Sequence, residues 1–384
     1  MLVERMRPFT STIFAEMSAL ALRAGAINLG QGFPDTDGPP SLLADAAANI
    51  TGGLNQYPPG PGIPALRTAV AEHQQRFYGL DVDPEHVLIT TGATEAIASA
   101  VLGLCESGDE VVTFQPYYDS YAATVALAGA TLKAVPLRPP TFGFDPDELR
   151  AAFSARTKVV LVNTPHNPTG AMFDREQLTL IGELAAEHGA IVVTDEVYEH
   201  MTFDGREHIP MATLPGMAER TLTISSAGKT FSVTGWKVGW VSGPPELVAA
   251  VRAAKQFLTY VSGAPFQPAI ASALALPDAF YSDLAEGLQR KRDLLSDGLR
   301  AAGFTVYPTS GTYFVVTDAA SLGVTDGSAF CFRLPELAGV AAVPVSVFCS
   351  DPELGRTLVR FAFCKRDEVL TDAVGRLAGL RAKV

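Results

Sequence analysis

Short runs of valine, isoleucine and leucine alternate with amphipathic segments through the first two thirds of the chain. The runs are predicted strands: VLITTG (87–92), EVVTF (110–114), TLKAVPL (131–137), KVVLVN (158–163), AIVVTDEV (190–197), TLTISS (221–226) and KVGWVSG (237–243). Continuous apolar runs separated by helical patterns are typical of strands that are buried on both faces of a parallel sheet. The pattern predicts an α/β fold with a mostly parallel sheet flanked by helices.

Between the runs, apolar residues recur with helical spacing. Helices are predicted at 8–24, 64–78, 174–188 and 244–258, and others are predicted to begin near Thr94, Ser120 and Asp145. Proline and glycine cluster between residues 26 and 62, in LGQGFPDTDGPP and YPPGPG. Because these residues favour turns, we expect mainly loops there.

The pattern changes after residue 278. A long helix at 278–302 is followed by FTVY, GTYFVVTD, a helix near 326–338, VAAVPVSVF, TLVRFAFCK and a last helix, which is typical of an α+β unit. We therefore predict a large domain of residues 30–277. Residues 1–29 and 278–384 are predicted to form a smaller domain, with the N-terminal helix packed near the C-terminal part.

Composition excludes several classes of protein. Of the 384 residues, 47% are hydrophobic and 18% are charged, so the chain is not disordered. The formal net charge is −12 without a basic stripe, which argues against a nucleic-acid partner. No run approaches the ~18 uninterrupted apolar residues of a membrane helix, so no membrane segment is expected.

The cysteines and the N-terminus predict a cytoplasmic protein. The four cysteines, at 105, 331, 349 and 364, are far apart and include no C-x-x-C pair. We therefore expect reduced thiols and no metal site. The first residues do not resemble a signal peptide, because Glu16 and Arg23 interrupt the most apolar stretch.

Four predicted strands end at Gly92, Asn163, Asp195 and Ser225-Ser226, and polar residues follow each of these ends. Ligands of open α/β sheets bind at the carboxyl ends of the strands. Four such ends with polar residues therefore predict one pocket at this edge of the sheet.

Lys229, in SSAGKTFSVTGWKVGW, lies among small and apolar residues after a strand. Desolvation there lowers the pKa of an amine and supplies the neutral form that Schiff-base chemistry requires. A phosphate-binding lysine and a solvated surface lysine are the alternatives. A P-loop is excluded, because that motif needs a glycine where Thr223 stands.

Asp195 ends a predicted strand, and its carboxylate suits a buried cation such as a pyridinium nitrogen. Capping a helix is the alternative role for this residue. Tyr198, three residues further on, is placed to present its hydroxyl to the same pocket. Asn167, in the fixed turn NTPHNPTG, suits a ligand oxygen, or else satisfies its own turn.

An anion site is predicted where strand VLITTG leads into a helix. The backbone N–H groups of Ala93 and Thr94 and the Thr94 hydroxyl are its donors, unless Thr94 is an ordinary helix cap. Ser226 and Lys237 are further candidates for the same anion.

Two more residues fit a ligand pocket. Tyr118, in QPYYDSY, suits stacking on a planar ring, although a core position is the commoner role. Arg360 interrupts the apolar strand TLVRFAFCK and suits bidentate binding of a carboxylate. An exposed arginine on an edge strand is the alternative.

The motifs NPTG, TDEVY, SSAGK, GWKVGW and RF occur in that order and resemble the class I aminotransferases over essentially the whole chain. The resemblance implies fold type I, the cofactor pyridoxal phosphate, and transfer of an amino group from an amino acid to 2-oxoglutarate by ping-pong kinetics. It implies that Lys229 binds the cofactor covalently and moves the proton, and that Asp195 pairs with the pyridine nitrogen. Tyr118 would stack on the ring, and Asn167 and Tyr198 would hydrogen-bond its phenolic oxygen.

The same resemblance implies the remaining contacts. The phosphate would be held by Ala93, Thr94, Ser226 and Lys237. Tyr57, in NQYPPGPG, would reach the phosphate from the neighbouring subunit, so a homodimer with active sites at the subunit interface is expected. Arg360, with Asn167 and the backbone at Gly32, would bind the substrate carboxylate.

Several segments narrow the resemblance. LGQGFPDTDGPP, NQYPPGPG, QPYYDSY and VRFAFCKRD resemble the subgroup of kynurenine and glutamine aminotransferases, and within it the actinobacterial N-succinyldiaminopimelate aminotransferases of lysine biosynthesis. Lys237 stands where aspartate-type members carry arginine, and QFLTYVSGAPFQP lacks the arginine with which those members bind a side-chain carboxylate. Aspartate is therefore not the expected donor.

Other reactions and roles remain as alternatives. A kynurenine-, glutamine- or methionine-type aminotransferase and a cysteine-conjugate β-lyase share the fold. A non-catalytic ligand sensor is the alternative of another class, and the presence of Lys229 argues against it. No G-x-G-x-x-G follows a strand, which excludes a nicotinamide-dependent dehydrogenase.

Overall fold

The computed structural model describes residues 3–384; residues 1 and 2 of the predicted smaller domain lie outside the described residues. The helices are α1 Ile13–Ala24, α2 Pro40–Thr51, α3 Pro64–Tyr78, α4 Gly92–Leu104, α5 Ser120–Ala128, α6 Pro146–Ala152, α7 Arg175–Glu187, α8 Ala227–Thr230, α9 Pro245–Lys255, α10 Phe266–Leu274, α11 Asp278–Ala301, α12 Gly327–Ala338 and α13 Asp367–Leu377. Among residues 3–384, none of the helices has the combination of length and apolar character that crossing a membrane requires.

The strands are β1 Ile27–Asn28, β2 Val87–Thr91, β3 Glu110–Gln115, β4 Thr131–Pro136, β5 Thr157–Asn163, β6 Ile191–Asp195, β7 Thr221–Ser226, β8 Val238–Ser242, β9 Thr305–Val306, β10 Phe314–Asp318, β11 Val340–Ala341, β12 Val343–Pro344 and β13 Leu358–Ala362. Each predicted run of valine, isoleucine and leucine in the first two thirds of the chain forms one of them.

Seven strands form the main sheet, in the order β2-β8-β7-β6-β5-β3-β4. Only β8 is antiparallel to its neighbours, and the other pairs are parallel. The predicted α/β class and the mostly parallel sheet are thereby confirmed. Asn163 pairs with Asp195, and Asp195 pairs with Ile224, so the carboxyl ends of β5, β6 and β7 are level.

A second sheet, β12-β13-β10-β9, is antiparallel throughout. Its core includes Leu295 of α11 and Phe361 of β13, together with Met17 of α1, and all three are fully buried. The N-terminal segment also contributes β1, which pairs with β11 in parallel. The N-terminal helix therefore packs against the C-terminal third of the chain, while the domain boundaries stay a prediction.

The predicted loop region at 26–62 is wrong in part, because it contains α2. Pro40 occupies the first turn of this helix, where its missing N–H needs no partner. Leu42 and Ala46 are buried in a core that also contains Ile270 of α10. The packing of this helix therefore depends on a partner that is distant in sequence. The prolines and glycines on either side of the helix favour a prediction of loops.

The first predicted helix begins later than residue 8. Residues Glu4–Phe9 form a 3-10 helix, and α1 starts at Ile13 because the Thr12 hydroxyl accepts a hydrogen bond from the Ala15 N–H at 3.3 Å.

The packing of α1 can be tested with two residues of the same helix. Met17→Ala removes a side chain that is 0% exposed, and we expect it to lower the free energy of unfolding by about 2–5 kcal/mol. Leu22→Ala is the matched control, because Leu22 is 86% exposed and its loss should cost less than about 0.5 kcal/mol. Equal losses in urea or thermal unfolding would contradict the packing described for α1.

Candidate active site

A cavity of about 330 Å³ lies at the carboxyl ends of β2, β5, β6 and β7. Its lining contains the sequence-predicted residues Gly32, Ala93, Thr94, Tyr118, Asn167, Asp195, Tyr198, Ser226, Lys229, Lys237 and Arg360. The side chains come from both sheets, since Arg360 lies on β13 and Asp195 on β6. The predicted pocket at this sheet edge is therefore present.

Lys229 lies in the short helix α8, directly after β7. Its Nζ is 5.8 Å from the centroid of the Tyr198 ring and 5.7 Å from that of Tyr313. Burial disfavours the ammonium form and lowers the pKa of Lys229 to about 8, although the nearby Asp195 carboxylate acts in the opposite direction. A substantial fraction of the amine is therefore neutral near physiological pH.

Asp195, the last residue of β6, is 6% exposed. The Tyr121 hydroxyl donates a hydrogen bond of 2.6 Å to Asp195 Oδ2. Burial raises the pKa of Asp195, and the Tyr121 hydrogen bond opposes that rise. Turns rather than a helix follow this residue, so it does not serve as a helix cap.

Two asparagines fix the turn between β5 and α7. The Asn167 N–H donates to Asn163 Oδ1 at 2.7 Å, and Asn163 Nδ2 donates to the Asp195 carbonyl oxygen at the same distance. The Asn167 side chain does not satisfy its own turn, because its Oδ1 accepts a hydrogen bond of 2.9 Å from Arg360 Nη1.

Arg360 is 1% exposed, because β13 lies between β12 and β10 and is not an edge strand. Its guanidinium carbon is 3.9 Å from the centroid of the Phe314 ring, and Nη2 donates to the Gly30 carbonyl oxygen at 3.0 Å. Nε is buried without a partner. Burial lowers the pKa of Arg360 to about 10, so the side chain remains charged at neutral pH.

The predicted anion site is built on two glycines. Gly92 has a φ of 71° at the start of α4, and a Cβ there would lie 3.3 Å from Lys237 Nζ. A Cβ on Gly239 would come within 2.6 Å of the Gly92 carbonyl carbon. The glycines therefore let β8 and the start of α4 approach, and Lys237 joins the first-turn N–H groups of α4 in one positive site.

Tyr57 does not line this cavity. Its side chain is 80% exposed, and its ring packs edge-on against Tyr260 at 5.5 Å between centroids. The predicted contact with a neighbouring subunit stays a prediction.

Sequence reasoning missed several residues that build the site. Tyr121 stands in the quoted motif QPYYDSY and Asn163 ends a predicted strand, so both carried a signal. Phe14, Phe33 and Phe314 also line the cavity, but they come from α1, a loop and β10. Their convergence depends on tertiary contacts for which the chain shows no local pattern.

The lowered pKa of Lys229 predicts a distinct reactivity in protein freed of small-molecule ligands. The rate at which a small acylating reagent modifies Lys229 should rise with pH and level off above about pH 8, because the neutral amine is the nucleophile. Peptide mass spectrometry measures this rate, and the exposed Lys158 in the same digest is the comparison. Asp195→Asn should move the midpoint to lower pH, and a Lys229 profile identical to that of Lys158 would contradict the desolvation.

Comparisons with known proteins agree with this geometry. The sequence pattern of the family described as aminotransferase class I and II matches residues 24–377. The chain is 54% identical to a probable N-succinyldiaminopimelate aminotransferase of Mycobacterium tuberculosis, over 99% of this chain and 98% of that protein. It is 40% identical to a methionine aminotransferase of Escherichia coli, over 96% of each chain.

A solved structure has the same fold. The N-succinyldiaminopimelate aminotransferase structure from Mycobacterium tuberculosis superposes with a TM-score of 0.97, at 54% identity, over 99% of this chain and 100% of that one. The predicted fold type I and the predicted resemblance are both confirmed. Since the family pattern and these relatives cover nearly the whole sequence, the chain belongs to the class I and II aminotransferases.

Proposed function

We propose that the chain binds pyridoxal phosphate in the cavity and uses it to transfer amino groups. The observation that carries this proposal is a set of charges that lack charged partners: Lys229, Asp195 and Arg360 line one cavity, and within residues 3–384 none of them forms a salt bridge. Buried charges without partners cost free energy. A ligand with a cationic ring nitrogen, an aldehyde and a phosphate would complement Asp195, Lys229 and the Gly92–Lys237 site respectively.

Different residues of the chain would have different roles in the reaction. The bound cofactor supplies an electron-withdrawing ring that stabilises negative charge on the substrate Cα. Lys229 would bind the cofactor and then move the proton at Cα, for which its lowered pKa suits it. Asp195, held by Tyr121, would keep the ring nitrogen protonated, while Asn167 and Tyr198 would hydrogen-bond the ring oxygen.

The remaining residues would bind and orient. Ala93, Thr94, Ser226 and Lys237 would hold the phosphate, and Tyr118 would stack on the ring. Arg360 would bind the substrate carboxylate with Asn167 and the backbone of Gly32. Its unpaired Nε and its neutral hydrogen-bond partners support this role, because no carboxylate of the described residues forms a salt bridge with it.

The assembly that we propose is a homodimer. Tyr57 and Tyr260 are exposed, as are Phe257 and Leu258, which are 85% and 51% exposed. Aromatic and apolar side chains are rarely grouped on the surface of a monomer. Tyr57 of one copy would reach the phosphate in the other, as the resemblance implies.

For the donor we propose N-succinyl-LL-diaminopimelate, with 2-oxoglutarate as the acceptor. The support is the 54% identity, over nearly the full length, to the relative named for this substrate. The methionine aminotransferase relative, at 40%, supports methionine as the second candidate. A kynurenine- or glutamine-type specificity and β-elimination remain alternatives on the same site.

A cytoplasmic location is proposed from the cysteines. Cys105, Cys331 and Cys364 are buried and Cys349 is partly buried, and all four are free thiols. This is the expected state in a reducing compartment.

Cofactor binding can be tested by colour and mass. The purified protein should be yellow, and borohydride should fix the cofactor to Lys229 as a mass increase on its peptide. Lys229→Ala should lose the covalent adduct, whereas Lys255→Ala, at another buried lysine outside the cavity, should retain it. A colourless protein that does not bind added cofactor would contradict the proposal.

Donor specificity can be tested with a panel of N-succinyl-LL-diaminopimelate, methionine, kynurenine, glutamine and aspartate, each with 2-oxoglutarate. We expect the first to give the highest kcat/KM, and Lys229→Ala to be inactive with all five. A higher value for methionine would favour the second candidate, and pyruvate release from a cysteine conjugate without an acceptor would favour the lyase. Aspartate as the best donor would contradict the argument from the missing arginine.

A further inference from the structure

A second group of buried polar side chains lies close to the carboxyl end of β6 but does not line the cavity. It consists of His73 on α3, Glu196, Glu199 and His200 after β6, and His208. We call these five residues the His–Glu cluster. None of them has a role in the function proposed above.

The carboxylates of the His–Glu cluster lack a compensating cation. Glu196 and Glu199 are 1% and 4% exposed. Glu196 Oε2 is 2.8 Å from His208 Nε2, and Glu199 Oε1 accepts a hydrogen bond of 2.6 Å from Ser225. The other oxygen of each carboxylate is buried without a partner, and among residues 3–384 no lysine or arginine forms a salt bridge with either. Such groups require a proton, a water or an ion.

The metal-ligating atoms of His73, His200 and Glu199 lie close together. The two imidazoles are in direct contact. Their Nε2 atoms face each other at 2.7 Å. One ligand atom from each of His73, Glu199 and His200 lies within 4.8 Å of the others. Neutral imidazole and carboxylate oxygen are ligands of zinc and related ions.

We propose that His73, His200 and Glu199 bind a first-row divalent cation of the Zn²⁺ class. Two imidazoles on one tetrahedral ion stand about 3.3 Å apart at their nitrogens. To bind the ion, the two rings would break their hydrogen bond, separate by about half an ångström and rotate so that both nitrogens point at the ion. His200 lies in the turn that follows β6.

The site would join elements that are distant in sequence. His73 belongs to α3, whereas Glu199 and His200 follow Asp195 and Tyr198 on the segment that lines the cavity. Bound metal would therefore fix this segment to α3. The role is structural, since the ligands do not reach the cavity.

The test is a Zn²⁺ titration of the full-length protein with its cofactor, after chelator treatment and in competition with a chromophoric chelator. We expect one equivalent per chain with micromolar or tighter affinity. Glu199→Gln and His73→Gln should each weaken binding at least about 100-fold, whereas the control His188→Gln, outside the cluster, should not. All variants contain the same cofactor. If the metal were bound to the cofactor, the two cluster substitutions would not weaken binding more than the control does.

Two results would overturn the proposal: no binding tighter than about 100 µM, or binding that survives both cluster substitutions. If a variant fails to fold, X-ray absorption of the zinc-loaded wild type decides, since it must show two imidazole ligands. A proton shared between His73 and His200 is the alternative occupant, and it predicts no bound zinc. The titration requires no enzymatic activity, so its result is independent of the proposed transamination.

Discussion

The structure depends on charges that the fold encloses without giving them charged partners. Arg360 is the clearest case, because its guanidinium is held by two neutral oxygens, of Asn167 and Gly30, and by the face of Phe314. Removal of an arginine from water is costly unless an anion compensates it. The fold tolerates this cost because both sheets bring large apolar cores up to the same cavity. A ligand carboxylate would therefore bind to a site that is already desolvated and oriented.

The cavity exists only where the two sheets meet. Arg360 belongs to the four-stranded sheet and Asn167 to the turn after β5 of the seven-stranded sheet, and their hydrogen bond links the two directly. A bridge between Thr202 and Gly311 provides a second link. Since Asn167 is in turn hydrogen-bonded to Asn163, and Asn163 to the Asp195 backbone, a short chain of hydrogen bonds connects Arg360 with Asp195.

The sequence predicts the sheet well and the contacts between distant segments poorly. Strands such as β5 and β7 are buried on both faces, so they appear as unbroken apolar runs. Helix α2 lies in a region for which the sequence predicts loops, because prolines flank the helix and its buried face consists of little more than Leu42 and Ala46. The burial of Arg360 depends on the position of β13 within its sheet. No local sequence pattern predicts the order of strands in a sheet. The sequence does not predict that Phe14 and Phe314 line the cavity, because their positions also depend on contacts between distant segments.

The segment DEVYE carries residues of both the cavity and the His–Glu cluster. Asp195 and Tyr198 line the cavity, whereas Glu196 and Glu199 belong to the His–Glu cluster behind it. The three carboxylates are held by different partners, Tyr121, His208 and Ser225. Burial raises the pKa of Asp195 and that of Glu199, the latter to about 7, so each depends on its own neighbour to remain charged. Because a single short turn carries all three carboxylates, one backbone conformation must suit both the cavity and the His–Glu cluster.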